Sequence, residues 1–220
     1  MKGWWSEVDA WVSRWLTPVV KWLIYICVLV FVLLPFAPTF FVRLLGASFE
    51  TTILQLRVWQ LVTYAFVHAS FSHILFNLLA LGMFGTRLEL RWGNRTFLRF
   101  VLVVAIGAVL THLLLTPLLG QQQVMIVGIS GVVYGILLAY AYYYPDEIIY
   151  VQFLIPVKAK VFVIILGVLA FLSSIGNVNS GVAHLTHLGG LVVAYLFVRY
   201  PQMFSRIPVP DFWNRRWRGW

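Results

Sequence analysis

Three short stretches carry residue types that could do chemistry. The first is Gly128-Ile129-Ser130-Gly131, a hydroxyl between small residues at the start of an apolar run. The second is Ala183-His184-Leu185-Thr186-His187-Leu188-Gly189-Gly190, and the third places His73 and Asn77 four residues apart. A serine next to an imidazole is the minimal kit for nucleophilic acyl transfer, the ring taking the hydroxyl proton as general base. Two further donors on one helix face, as His73 and Asn77 are at i and i+4, suit the oxyanion that such a reaction develops. Taken alone the glycine-serine stretch is weak evidence, because Gly128, Gly131 and Gly135 at helical spacing also mark close helix packing.

The elements that must position these groups are membrane helices. Apolar residues make up 61% of the 220 residues and charged ones only 10%, so a surface of ordinary charge density cannot be built. At roughly 20 residues per crossing the chain has room for about six crossings in one domain. They are expected near Val19–Phe41, Ser72–Leu90, Leu98–Leu119, Ser130–Tyr144, Val161–Ile175 and Ala183–Tyr200, within a membrane domain of residues 19–200. Residues 1–18, with four tryptophans, form an expected interfacial segment rather than a signal or transit peptide, and residues 201–220 a basic aromatic tail. The connection after the first crossing is too apolar for a free linker and is expected to lie half-immersed in the outer leaflet.

Histidine at membrane depth is costly enough to suggest function by default. The fourth crossing offers only about fifteen residues, roughly 22 Å against a hydrocarbon core of roughly 30 Å, so Ser130 should start its helix below the membrane surface. Gly190 and Ala194 give the sixth crossing a small-residue face able to approach the glycines of the fourth, bringing a histidine toward Ser130.

Charge sets orientation. With both termini cytoplasmic, six crossings put every Lys and Arg except Arg43 and Arg57 inside, fourteen of the sixteen. The formal charge of +9 is thus a topology signal, and no nucleic-acid partner is expected. Cys27 has no possible intrachain partner, which excludes an internal disulfide. His184 and His187 are three apart without a carboxylate, so neither a metal nor another cofactor is expected.

The sequence resembles the rhomboid proteases. The matching pieces are His68-Ala-Ser-Phe-Ser-His73-Ile-Leu-Phe-Asn77, Glu89-Leu-Arg91-Trp-Gly93, Gly128-Ile-Ser130-Gly-Val-Val-Tyr134-Gly135 and Ala-His-x-x-His187-Leu-Gly-Gly190, in family order. The resemblance implies an all-α bundle of six transmembrane helices that hydrolyses peptide bonds in or near transmembrane segments of substrate proteins. It implies Ser130 as nucleophile, His187 as general base, and His73, Asn77 and the Ser130 amide as oxyanion donors. Tyr134 would stack on the histidine, Gly128 and Gly131 would leave room for substrate backbone, and His68 would hold the first loop. All seven carboxylates except Glu50 fall toward the cytoplasmic side, so no aspartate is expected to orient the histidine. Glu89 and Arg91 are expected in a structural ion pair or a helix-end contact, and His112 in an interhelical hydrogen bond. The compact form resembles bacterial members, hence an expected bacterial cytoplasmic membrane with the site opening outward. The natural substrate and the oligomeric state are not legible.

Overall fold

A computed structural model describes residues 4–151, 154–176 and 181–209. The chain begins with α1 (Trp4–Val12) and α2 (Pro18–Leu33), continued by a 3-10 turn to Phe36, then α3 (Pro38–Leu45). A π-helical turn (Phe49–Leu54) and the short α4 (Gln60–Thr63) lead to α5 (Phe71–Ala80), which passes through a second π turn (Leu81–Gly85) into α6 (Thr86–Trp92). Next come α7 (Asn94–Leu115), α8 (Ser130–Tyr143), a hairpin of β1 (Ile148–Val151) and β2 (Ile155–Lys158), α9 (Ala159–Gly176), α10 (Gly181–Arg199) and α11 (Pro201–Phe204). Among the described residues three helices are long and apolar enough to cross a membrane: Pro18–Phe36, Phe71–Trp92 and Asn94–Leu118. Two shorter apolar helices accompany them, Ser130–Tyr143 and Ala159–Ser174.

Burial separates a central helix from the lipid-facing ones. Nine residues of α8 are buried, among them Val132, Val133, Ile136 and Leu137, so it is enclosed nearly all round. On α9, by contrast, Ile164, Val168, Leu169 and Leu172 are exposed, as are Trp22, Leu29 and Val32 on α2. α10 packs against α7, α8 and α9. Its contact with α8 works only because the residues there are small: a Cβ on Gly190 would lie 2.1 Å from the carbonyl oxygen of Gly131, and one on Gly135 would lie 3.1 Å from the Ala194 methyl. The two backbones thus touch directly, which is how membrane helices gain dispersion energy where lipid removes any hydrophobic incentive.

Several boundaries differ from the sequence reading. The first crossing, expected to reach Phe41, stops at Phe36, because Pro35 and Pro38 remove amide donors and Ala37 leaves the helical region at φ −154°. The chain then starts afresh as α3, so the residues beyond Phe36 belong to a separate helix. The third crossing loses α geometry at Leu115 and ends in a 3-10 turn containing Pro117. The all-helical expectation also missed the hairpin, in which Ile148 pairs Lys158 and Val151 pairs Ile155 antiparallel. Its β-branched run Ile148-Ile149-Tyr150-Val151 was the available signal. The basic tail from residue 210 onward lies outside the described residues.

Two polar devices tie the N-terminal half together. Glu89, buried in the middle of α6, accepts hydrogen bonds from the Thr17 hydroxyl (2.6 Å) and from the backbone amides of Val19 (2.9 Å) and Val20 (3.0 Å). It therefore caps α2, whose N-cap Thr17 makes no side-chain cap of its own. Lys21, also buried, reaches back 2.7 Å to Asp9 on α1 and 3.0 Å to the Ser13 hydroxyl, fastening α1 to α2.

Candidate active site

The segment leading into α8 is clamped before Ser130 is reached. Ile126 pairs with Ala47 in an isolated antiparallel bridge, and the Gly128 amide donates to the Tyr64 carbonyl at 2.9 Å. Tyr64, fully buried, is itself held by its hydroxyl on the Ala105 carbonyl of α7 at 2.9 Å. Gly128 has φ +107°, a conformation L side chains rarely adopt, and a Cβ there would come within 2.6 Å of the His73 ring. The glycine is thus required twice, by the turn and by the imidazole lying against it.

Ser130 opens α8 with no side-chain cap on the helix, so the first amides of α8 have no intrahelical partner. Such a terminus favours developing negative charge. The Ser130 hydroxyl lies 2.8 Å from Nε2 of His187 on α10. For the hydroxyl to donate to Nε2, the other ring nitrogen carries the proton, and that Nδ1 is buried without a hydrogen-bond partner. Among the described residues no carboxylate hydrogen-bonds the ring. Tyr134, one turn after Ser130, stacks on it, with centroids 4.2 Å apart and planes 4° from parallel. The ring of His184 sits edge-on to His187 at 5.9 Å and is half-buried.

The other site residues divide into those brought close and those held back. His73 lies against Gly128, as described, and makes a T-shaped contact with His68 at 5.0 Å. His68 is completely buried, with Nδ1 3.3 Å from the Phe66 carbonyl. Burial, together with the neighbouring His73, pushes its pKa down to about 4 against the opposing pull of that carbonyl, so the ring is neutral near pH 7. Asn77 is buried and spends one amide hydrogen on the His73 carbonyl (2.7 Å), leaving a second N–H. Gly131, as the packing with α10 requires, serves the approach that delivers His187. His112 contacts the Val124 carbonyl through Nε2 at 3.2 Å. Among the described residues no group of three or more His, Cys, Asp or Glu is arranged to hold a metal ion.

The Rhomboid domain family matches residues 55–201, two thirds of the chain. The chain belongs to the rhomboid family. This rhomboid is 30% identical over 154 residues to RHOMBOID-like protein 12, mitochondrial, of Arabidopsis thaliana, covering 63% of this chain and 45% of that protein. It is 30% identical over 148 residues to Rhomboid protease GluP of Bacillus subtilis, covering 67% of this chain and 27% of the relative. With Putative rhomboid protease YdcA of the same bacterium it shares 29% over 138 residues, covering 63% and 64%. The matched region thus spans between about a quarter and two thirds of these relatives' lengths. Family membership and the apolar helices make it a multi-pass membrane protein.

Two polar arrangements of this rhomboid become visible only in the structure. Gln60 is completely buried: its carbonyl oxygen accepts from the hydroxyls of Thr51 (2.7 Å) and Thr52 (2.9 Å), and its amide donates to the Arg43 carbonyl (3.0 Å). Trp59, Arg57 and Thr63 donate to the carbonyls of Leu44, Arg43 and Leu45, so four side chains satisfy the open end of α3. A glutamine can do this because it carries donor and acceptor at one tip. Arg87, Tyr140 and Glu147 form a second cluster, with Arg87 2.6 Å from Glu147 and 2.8 Å from the Tyr140 hydroxyl. Sequence separation of fifty to sixty residues hid that cluster.

Proposed function

We propose that this rhomboid is an intramembrane serine endopeptidase, with Ser130 as nucleophile and His187 as general base. The observation that carries the proposal is the 2.8 Å separation of the Ser130 hydroxyl and His187 Nε2 at an uncapped helix N-terminus. In this reading the hydroxyl attacks a substrate carbonyl while Nε2 takes its proton. Charge gathering on the carbonyl oxygen is met by the Ser130 amide, His73 and the second N–H of Asn77. His187 then passes the proton to the leaving amine, and water hydrolyses the acyl-enzyme by the same steps. Tyr134 keeps the imidazole in plane through the cycle, in place of a carboxylate.

The substrates are transmembrane proteins, cut in or near a membrane-spanning segment, and the surrounding lipid is the second partner. The domain crosses the membrane six times over residues 19–200, α8, α9 and α10 joining the three long spans, with the first loop half-immersed. Both termini face the cytoplasm and the site opens to the other side. The inferred setting is a bacterial cytoplasmic membrane, two of the relatives being from Bacillus subtilis.

Cleavage of a single-pass reporter in proteoliposomes, with products weighed by mass spectrometry, tests the assignment. Ser130→Ala and His187→Ala each abolish cleavage with thermal unfolding unchanged, and His184→Ala keeps appreciable activity. A Ser130→Ala variant that still cuts would overturn the role. Labelling of Ser130 by a fluorophosphonate separates an active protease from a family member that only binds its clients.

A further inference from the structure

Two adjoining cavities, of about 410 and 310 Å³, open beside the C-terminal end of α3, and Arg43 and Arg57 line both. The smaller is completed by Thr39, Phe40 and Leu44. The larger adds Glu50, Gln55 and Gln123 among its walls. Arg57 spends one N–H on the Arg43 carbonyl at 3.1 Å, and among the described residues neither arginine forms an ion pair. Each guanidinium carries five donors, so both keep N–H groups beyond this one bond. Two guanidinium groups beside the carboxylate of Glu50 give the larger cavity both signs of charge, the positive in excess.

We infer that Arg43, Arg57 and Glu50 form a binding site for a phosphoethanolamine lipid headgroup, the phosphodiester between the two arginines and the ammonium toward Glu50. The guanidinium fork matches two oxygens of one phosphate at once, which favours an oxyanion over a simple halide. The surroundings point to a lipid rather than a free phosphate. α3 follows the Pro18–Phe36 span after one residue, so it lies at a membrane surface whichever way the protein is inserted. Phe40 in the wall of the smaller cavity, and Leu54 and Leu56 on either side of the lining residue Gln55, are 60–73% exposed, an apolar surface that acyl chains would cover. The headgroup is set by the acid. An ethanolamine ammonium offers three charged donors to Glu50 and to the glutamine carbonyls, a choline group offers none, and a glycerol headgroup offers only neutral hydroxyls.

The site is independent of the catalytic reading, and its test does not use proteolysis. The full chain in detergent is titrated with short-chain phosphatidylethanolamine, phosphatidylglycerol and phosphatidylcholine, and separately with inorganic phosphate, and adducts are counted by native mass spectrometry. Phosphatidylethanolamine binds most tightly, and Arg43→Glu weakens it about tenfold or more. The Arg43 side chain has no hydrogen-bond or ion-pair partner among the described residues, so the fold tolerates the change, which thermal unfolding checks. Arg43→Gln is the alternative should the reversed charge prevent folding. Glu50→Gln keeps phospholipid binding but erases the preference for ethanolamine over glycerol. Unchanged phosphatidylethanolamine affinity in the arginine variant overturns the site, an undiminished ethanolamine preference in Glu50→Gln overturns the headgroup assignment, and displacement of the lipid by equimolar inorganic phosphate reduces it to a free-anion site.

Discussion

The His187 ring is held by one face and one edge. Its face lies on Tyr134, its Nε2 meets Ser130, and its Nδ1 has no partner, so the stack is the visible restraint on ring rotation. An unsatisfied buried N–H costs about 1–3 kcal/mol, an arrangement that a protein keeps only where something else compensates. Aromatic stacking contributes about 0.5–1.5 kcal/mol beyond burial. Tyr134→Ala should therefore lower kcat on a transmembrane reporter by about tenfold, while Tyr134→Phe, which keeps the stacking face, stays close to the parent. Equal losses in both variants would show that the hydroxyl rather than the ring plane matters.

At the scale of elements, the ends of helices carry most of the polar bonding. Glu89 caps a helix that begins seventy residues earlier, and its removal strands one hydroxyl and two amides. Glu89→Ala is expected to destabilise the protein by about 1.5–3 kcal/mol, the range for hydrogen bonds to a charged group, read as a lower midpoint in thermal or denaturant unfolding. Glu89→Gln, which can still accept, should lose less. The hairpin between α8 and α9 gives a pH-dependent counterpart. Lys160 at 2.9 Å, and then Lys158 at 3.3 Å, hold the Asp146 carboxyl below its ordinary pKa. A depressed carboxylate pKa means the folded state prefers the ionised form. The contribution is therefore complete above the ordinary value of about 4 and fades as pH falls from there through the lower folded value. Protection of the β1 and β2 amides, taken relative to their intrinsic exchange rates, should fall on acidification below about pH 4, and Asp146→Asn should remove that dependence. Both partners are exposed, so the effect stays local to the hairpin and leaves overall stability nearly unchanged.

For the whole molecule the question is which way it sits in the bilayer. The apolar belt of α2 and α9 places it in lipid, and the basic residues give the direction: fourteen of sixteen gather on one side if six crossings are made. Cys27 is buried and is the single cysteine, so a Cys27→Ser background accepts reporter thiols cleanly. A cysteine at Lys158 should react with a membrane-impermeant maleimide only after the cells are opened, and one at Gln55 in intact cells. The reverse pattern would invert the topology and with it the face on which the site opens.

The sequence by itself determined what depends on near neighbours along the chain. Apolar runs marked the helices and glycines flanked Ser130, since hydropathy and local backbone sterics are properties of a few consecutive residues; the break at Pro35 and Pro38 is the exception, the apolar run continuing past it to Phe41. Spacing left His184 and His187 equally near Ser130, and only the family resemblance favoured the second. Tertiary structure decided which ring lies 2.8 Å from the hydroxyl, because that depends on how far α10 can slide into the small-residue face of α8. It also decided that Gln60 closes the end of α3, that Glu89 serves a distant helix, and that residues 148–158 pair as strands. Those bonds join groups that are far apart in the chain, and their partners can be read only once packing has brought the backbones together.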